Sequence, residues 1–112
     1  MISKALTGAS TKPIILAILN RGESYGYEII QQVKDITAGE LDWSEPMLYP
    51  FLKRLERDGL VTSQWRLSDR GPLRKYYRLT KFGRAELERE RGQWLKVHAA
   101  MIALWKPAAG ER

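Results

Sequence analysis

The chain has no cysteine and a single histidine. The first absence excludes a disulfide framework, a thiolate zinc site and a cysteine nucleophile. The second leaves His98 without the histidine and carboxylate neighbours that a metal centre or a general base needs. The longest apolar run, Ile14 to Leu19, falls far short of the ~20 residues that span a bilayer. The Met1 to Leu6 start has no apolar region of signal-peptide length. A cytoplasmic setting with no membrane segment is therefore expected. No phosphate loop, nucleophile–base pair or metal-ligand spacing occurs, so neither an enzyme nor a cofactor is expected. Negative charge is also in short supply. Thirteen Asp and Glu stand against 19 Lys and Arg, for a net charge of +6 and a pI near 9.8. That excess favours a polyanionic partner, nucleic acid or an anionic surface, without choosing between them.

What is present suits one domain with a modest core: 112 residues, 44% hydrophobic and 29% charged. The most informative stretch runs from Ser44 to Gly59. Ser44 is suited to cap a helix, Glu45 to meet the positive end of its dipole, and Pro46 to sit in its first turn. Trp43 and Leu48 have the spacing of a hydrophobic staple. Gly59 supplies the stop. At about 100° per residue, Leu48, Phe51, Leu52 and Leu55 share one side. Pro46, Pro50, Lys53, Arg54 and Arg57 share the other, and Tyr49 lies at the boundary. Pro50 removes an N–H from the ladder, which predicts a bend or a loosened first turn. Taken alone, the cationic face is more often just a solvated surface.

Before this stretch, a first helix is expected from about Ser10 or Thr11, with Pro13 in its first turn, to Asn20. Ser24 is expected to cap a second helix that runs to Thr37 and stops at Gly39, with Ile29, Ile30, Val33 and Ile36 as its apolar stripe. Gly26 near its start predicts close approach of a neighbouring helix. Tyr25 and Tyr27 are expected to pack in the core and at its rim. Leu41 and Trp43 alternate as in a very short strand. After Gly59 the pattern turns extended. Residues 60–67 and 74–80 flank turn chemistry at 68–73, a β-hairpin carrying Arg66, Arg70, Arg74, Lys75 and Arg78. Trp65 is expected to pack at its base. Thr80 then caps a last helix from Lys81 to about Leu104 or Trp105, roughly 36 Å long at 1.5 Å per residue. Its Glu86 to Arg91 run reads as a solvated face with local ion pairs. Leu87, Trp94 and Met101 recur every seven residues, with Val97 and Leu104 between and beyond them. That seam lies mostly in the C-terminal half and predicts burial against a second chain.

Three helices followed by a hairpin is the order of a winged helix-turn-helix, with the third helix as reading helix and the hairpin as wing. The expected fold class is mainly α with a small β-hairpin, extended by a long C-terminal dimerisation helix. Residues 1–80 would form the DNA-binding part and 81–112 the dimerisation helix and tail, as one compact unit. Cations now fall on both elements that a duplex would touch, which favours the DNA reading. The DNA-facing candidates are Ser44, Met47, Tyr49, Pro50, Lys53, Arg54 and Arg57 on the helix, and Arg70, Arg74 and Lys75 on the wing. The alternative is a winged helix that docks a protein and has no operator of its own.

Several motifs, in order and at fixed spacing, resemble the PadR family of transcriptional regulators. They are Tyr25-Gly26-Tyr27-Glu28-Ile29, the segment from Leu48 to Val61 containing Leu48-Tyr49-Pro50 and Asp58-Gly59-Leu60-Val61, the segment Arg74 to Thr80, and Gly83-Arg84. The likeness covers about residues 10–105 and is to the short members with one C-terminal helix. It implies a homodimer on a pseudo-palindromic operator, usually repressing nearby genes. It also implies that a flat aromatic effector can lie between the subunits near a tryptophan of the last helix. Trp94 matches that tryptophan when the chains are aligned from Gly83, and His98 follows one turn later. One departure stands out. Pro46 and Met47 occupy places where the family usually has a small residue and then Ser or Thr, which removes a hydroxyl able to meet phosphate or a base edge.

Overall fold

Side-chain hydroxyls set three of the four helix starts. In a computed structural model, which describes residues 1–67 and 71–106, the elements in order are α1 (Lys4–Asn20), β1 (Ser24–Tyr25), α2 (Gly26–Ile36), α3 (Glu45–Arg57), β2 (Val61–Leu67), β3 (Leu73–Leu79) and α4 (Lys81–Trp105). Ser3, Ser44 and Thr80 accept the backbone N–H of Leu6, Met47 and Gly83 at 3.2, 3.3 and 3.0 Å. Each satisfies one donor that the first turn would otherwise leave without a partner.

The first start differs from expectation. Helix α1 begins at Lys4, so Pro13 lies inside it rather than in its first turn. A proline there removes one N–H from the ladder. The turn before it is held by hydroxyls instead. Ser10 donates to the Leu6 carbonyl at 2.8 Å and Thr11 to the Thr7 carbonyl at 2.6 Å. Ile15, Leu16, Ile18 and Leu19 then bury the C-terminal half in the core.

Ser24 does not cap α2. It and Tyr25 form β1, paired antiparallel with Tyr77 and Tyr76 of β3. The Ser24 hydroxyl donates instead to Glu28 Oε1 at 2.9 Å. Helix α2 starts after Tyr25 without a side-chain cap and buries Ile29, Ile30 and Val33. Ile36 is 61% exposed and does not continue the stripe. Leu41 and Trp43 are buried but form no strand. Helix α3 runs unbroken through Pro50, and Gly59 closes it at φ +78°. The sheet order is β1-β3-β2, all antiparallel, with Val61 opposite Leu79 and Leu67 opposite Leu73.

Leu48, Leu52 and Leu55 from α3 join the α1 and α2 stripes, Val61, Tyr77 and Leu79 in one core. Helix α4 enters it only through its first turns, where Gly83 and Leu87 are buried. Lys12 of α1 grips that part of the helix, with Nζ 2.5 Å from Glu86 and 3.5 Å from Glu90. So the acidic run is partly a brace between helices and not only a solvated face. Beyond Trp94 the helix leaves the core, and the molecule measures 61 × 29 × 22 Å. Among the described residues, no helix is long and apolar enough to cross a membrane.

Candidate nucleic-acid interface

The outward face of α3 carries the side chains that the sequence pattern assigned to it. Pro46, Tyr49, Pro50, Lys53, Arg54 and Arg57 are exposed. The Arg54 guanidinium lies 4.6 Å from the Phe51 ring centre, which steadies its stem and leaves its donors outward. Arg57 Nε is 3.5 Å from the neighbouring Asp58 carboxylate, an exposed contact that screening makes weak. Two expected contributors are otherwise engaged. The Ser44 hydroxyl accepts the Met47 N–H as a cap, and Met47 is half-buried against the core.

Tyr49 stands over the start of α2. A Cβ built on Gly26 would lie 2.6 Å from its hydroxyl oxygen, so glycine at 26 makes room for this ring. The close approach expected at Gly26 is thus made by α3. Burial, with the Glu45 carboxylate adding to it, raises the Tyr49 pKa and keeps the phenol a neutral donor, although Arg74 pulls the other way.

The wing departs from its sequence reading. Three of its described cations, Arg66, Arg74 and Lys75, have intramolecular partners, while Arg78 of β3 is exposed. Arg66 reaches Glu23 at 2.6 Å and lies 4.0 Å over the Tyr76 ring. Arg74 lies 4.4 Å over the Tyr25 ring, and Tyr25 meets Tyr76 edge-on at 5.2 Å. Lys75 Nζ is 3.8 Å from Glu56 of α3. Glu56 also accepts a 2.5 Å hydrogen bond from the Ser63 hydroxyl, and so ties wing to helix. Tyr77 beneath them is pushed up to about 12 by burial and by the Glu56 charge. Trp65, expected to pack at the wing base, is exposed, because alternation along β2 carries it past the edge of the core. Tyr27, expected at the core rim, is exposed too. Arg70 lies outside the described residues. A groove of about 340 Å³ separates Glu45 and Tyr49 of α3 from Trp65 and Leu73 of the wing. Sequence reasoning missed Glu23, Glu56 and Lys12, whose partners are remote in the chain and leave no local signal.

On α4, Leu87 is buried in the protomer's own core. Trp94 is half-buried over a shallow apolar hollow of about 300 Å³, formed with Pro13, Ile14 and Ala17 of α1. Val97, His98 and Leu104 are exposed and Met101 half-buried. Leu95, Ile102 and Trp105 are exposed beside them, so the bare apolar surface is wider than a single heptad seam. Among the described residues, no group of acidic or histidine side chains is arranged to hold a metal.

Three helices with α3 presented outward beside a β-hairpin define a winged helix-turn-helix, the architecture of proteins that put a helix into a DNA groove. The profile of the transcriptional regulator PadR-like family matches residues 15–89. The chain belongs to this family and is a transcriptional regulator, not an enzyme. An uncharacterised protein of Lysinibacillus sphaericus is 33% identical over 84 residues, which are 75% of this chain and 77% of that protein. The negative transcriptional regulator PadR of Bacillus subtilis is 31% identical over 87 residues, 78% of this chain but 46% of that protein. Among solved structures, a transcriptional regulator from Clostridium thermocellum superposes with TM-score 0.84 at 28% identity, covering 95% of this chain and all of that one. A PadR family regulator from Clostridium difficile gives 0.77 at 32% identity, covering 87% of this chain and 99% of that one.

Proposed function

We propose that this chain acts in the cytoplasm as a homodimer on a pseudo-palindromic operator and represses the genes beside it. The observation that carries the proposal is the pairing of two bare surfaces on one protomer. One is the cationic face of α3, with Lys53, Arg54 and Arg57. The other is the apolar C-terminal half of α4, with Trp94, Val97, Met101 and Leu104. Residues 1–80 read DNA and residues 81–112 pair the chains. Pairing places two α3 helices about one DNA turn apart, ~34 Å. Lys53 and Arg54 reach base edges and phosphates, and Tyr49 adds a neutral donor at the groove wall. Arg74 and Lys75 reach the flanking backbone by sharing their charge with Tyr25 and Glu56. Repression is supported by the Bacillus subtilis relative, a negative transcriptional regulator. The hollow under Trp94, with His98 one turn on, admits a flat aromatic effector once a second chain roofs it. Such a ligand acts only through its different affinity for the two spacings of the reading helices.

The test is selection from a pool of random duplex DNA at moderate salt, followed by sequencing. Enrichment of a two-fold symmetric motif is the expected outcome. Binding without enrichment would mean that the charge gives only non-specific affinity. The winged helix would then be a protein-docking module.

A further inference from the structure

We propose that the wing meets duplex DNA through an apolar face, with Trp65, Leu67 and Leu73 lying against the sugar walls of the strand that passes between wing and α3. The inference rests on the DNA reading above and adds to it which chemistry the wing contributes.

The register fixes two faces. Val61, Ser63, Trp65 and Leu67 alternate onto one, opposite Leu79, Tyr77, Lys75 and Leu73. At the base this face is core, since Val61, Tyr77 and Leu79 are buried. Farther out the core ends, but the apolar residues continue. Trp65 is 62% exposed, Leu67 77% and Leu73 56%. The Ser63 and Lys75 contacts to Glu56 show that this face is the one turned to α3. Trp65 and Leu73 line the groove across from Glu45 and Tyr49, with Lys75 on the same face and Arg74 reaching in over Tyr25. The opposite face carries Arg66, held by Glu23 and Tyr76, Arg74, which lies over Tyr25, and the exposed Arg78. Drawing Arg66 or Arg74 wholly onto phosphate would weaken the contacts it already makes. Leu67 and Leu73 have no polar contact to give up, Trp65 has only Lys75 Nζ 6.0 Å from its ring centre, and all three gain by leaving water. A strand that leaves the major groove at α3 must cross this gap to reach the wing. Its deoxyribose rings are the apolar part of the backbone, and proteins that bind the minor groove frequently insert apolar side chains between its base steps. Continuity with the exposed face of α3 selects DNA over a second chain as the occupant.

The two kinds of contact differ in salt dependence. Each cation lost from a phosphate lowers the slope of log K against log salt by about one, whereas an apolar contact releases no counterions. On a duplex selected as above, Leu67→Ser with Leu73→Ser is expected to weaken binding by about tenfold or more at every salt concentration with the slope unchanged. Lys53→Ala with Arg54→Ala is expected to reduce the slope. Both leucines are exposed, so the variant keeps its circular dichroism spectrum and melting temperature. The blue shift of tryptophan emission on adding DNA should shrink in Trp65→Phe. Wild-type affinity in the leucine variant would overturn the proposal, as would a slope that falls with it. A change of oligomeric state in sedimentation, with DNA affinity intact, would assign the face to a second copy. If the wild type bound no duplex at all, the DNA reading itself would fail, and this inference with it.

Discussion

Replacing Gly83 with alanine puts a methyl group where the start of α4 crosses the backbone after α3. The added Cβ would lie 2.1 Å from the Leu60 carbonyl oxygen and 2.9 Å from Leu79 Cδ2. The first atom is backbone and cannot swing aside. The same carbonyl accepts the Thr80 N–H at 3.1 Å, while Thr80 Oγ1 donates to the Gly59 carbonyl at 2.7 Å and accepts the Gly83 N–H at 3.0 Å. Relieving the clash therefore loosens a knot that holds the end of α3, the end of β3 and the start of α4 together. Overpacking costs about 1–3 kcal/mol and each strained hydrogen bond about 1 kcal/mol. Against this, alanine gains up to about 1 kcal/mol over glycine in a helix. The net is a loss of roughly 2–3 kcal/mol, or a fall in Tm of about 8–15 °C for a domain of this size. Gly92 in the same helix is the control, because a Cβ there meets nothing within 4 Å. Gly92→Ala should raise stability by up to about 1 kcal/mol. Both variants should be melted at one protein concentration, since the proposed pairing of chains would make Tm concentration-dependent. A Gly83→Ala protein as stable as wild type would refute the crossing geometry.

Three further outcomes are expected. Arg89 and then Lys12 hold the Glu86 carboxyl at about 2, below its ordinary 4.5. Its folded pKa is depressed, so its contribution is present above about pH 4.5 and is lost as pH falls toward 2. It is on the order of 1–2 kcal/mol after discounting for the half-exposed Arg89. Urea midpoints of wild type and Glu86→Gln should converge across that window, and a constant gap would count against the brace. Ser44→Ala removes the α3 cap and should cost about 1 kcal/mol by chemical denaturation, with no loss meaning that Met47 N–H finds another acceptor. Gly26→Ala meets only the mobile end of Tyr49, so stability should change by less than about 1 kcal/mol. DNA affinity should nevertheless fall as the ring is displaced, and unchanged affinity would remove Tyr49 from the interface.

The parts of the fold legible in sequence are those that local chemistry decides. Ser44 with Pro46, Gly59 with its positive φ, and Thr80 each carry a boundary within four residues, and α3 and α4 begin where those signals stand. Where the local signal was incomplete, tertiary packing chose. Ser10 or Thr11 with Pro13 reads as the start of α1, but the helix begins after Ser3. Thr11 is buried and α1 extends back to its cap Ser3, where Ile2 and Thr7 line a hollow shared with Met47 and Phe51. Ser24 looks like a cap, but the free edge of β3 claims its backbone from far along the chain. No window around Ser24 contains that edge.

The interface divides in the same way. Periodicity places Lys53, Arg54 and Arg57 on the outer side of α3, because helix phase and an apolar stripe suffice to find a polar face. It cannot tell whether a cation is already engaged. Glu23 lies 43 residues from Arg66, and Glu56 reaches Lys75 only because the sheet folds back over α3. Counting positive charges therefore does not separate Arg66, Arg74 and Lys75, which have partners within the fold, from the exposed Arg78. On α4 the limits are reversed. A heptad seam names Leu87, Trp94 and Met101 together, yet Leu87 belongs to the protomer's own core and Leu95, Ile102 and Trp105 lie bare beside the seam. Two straight helices meeting along one stripe would leave those three in water. In the proposed dimer, covering them takes a partner surface wider than a single helix, and α1 beside α4, with the hollow between them, offers that width on an identical chain.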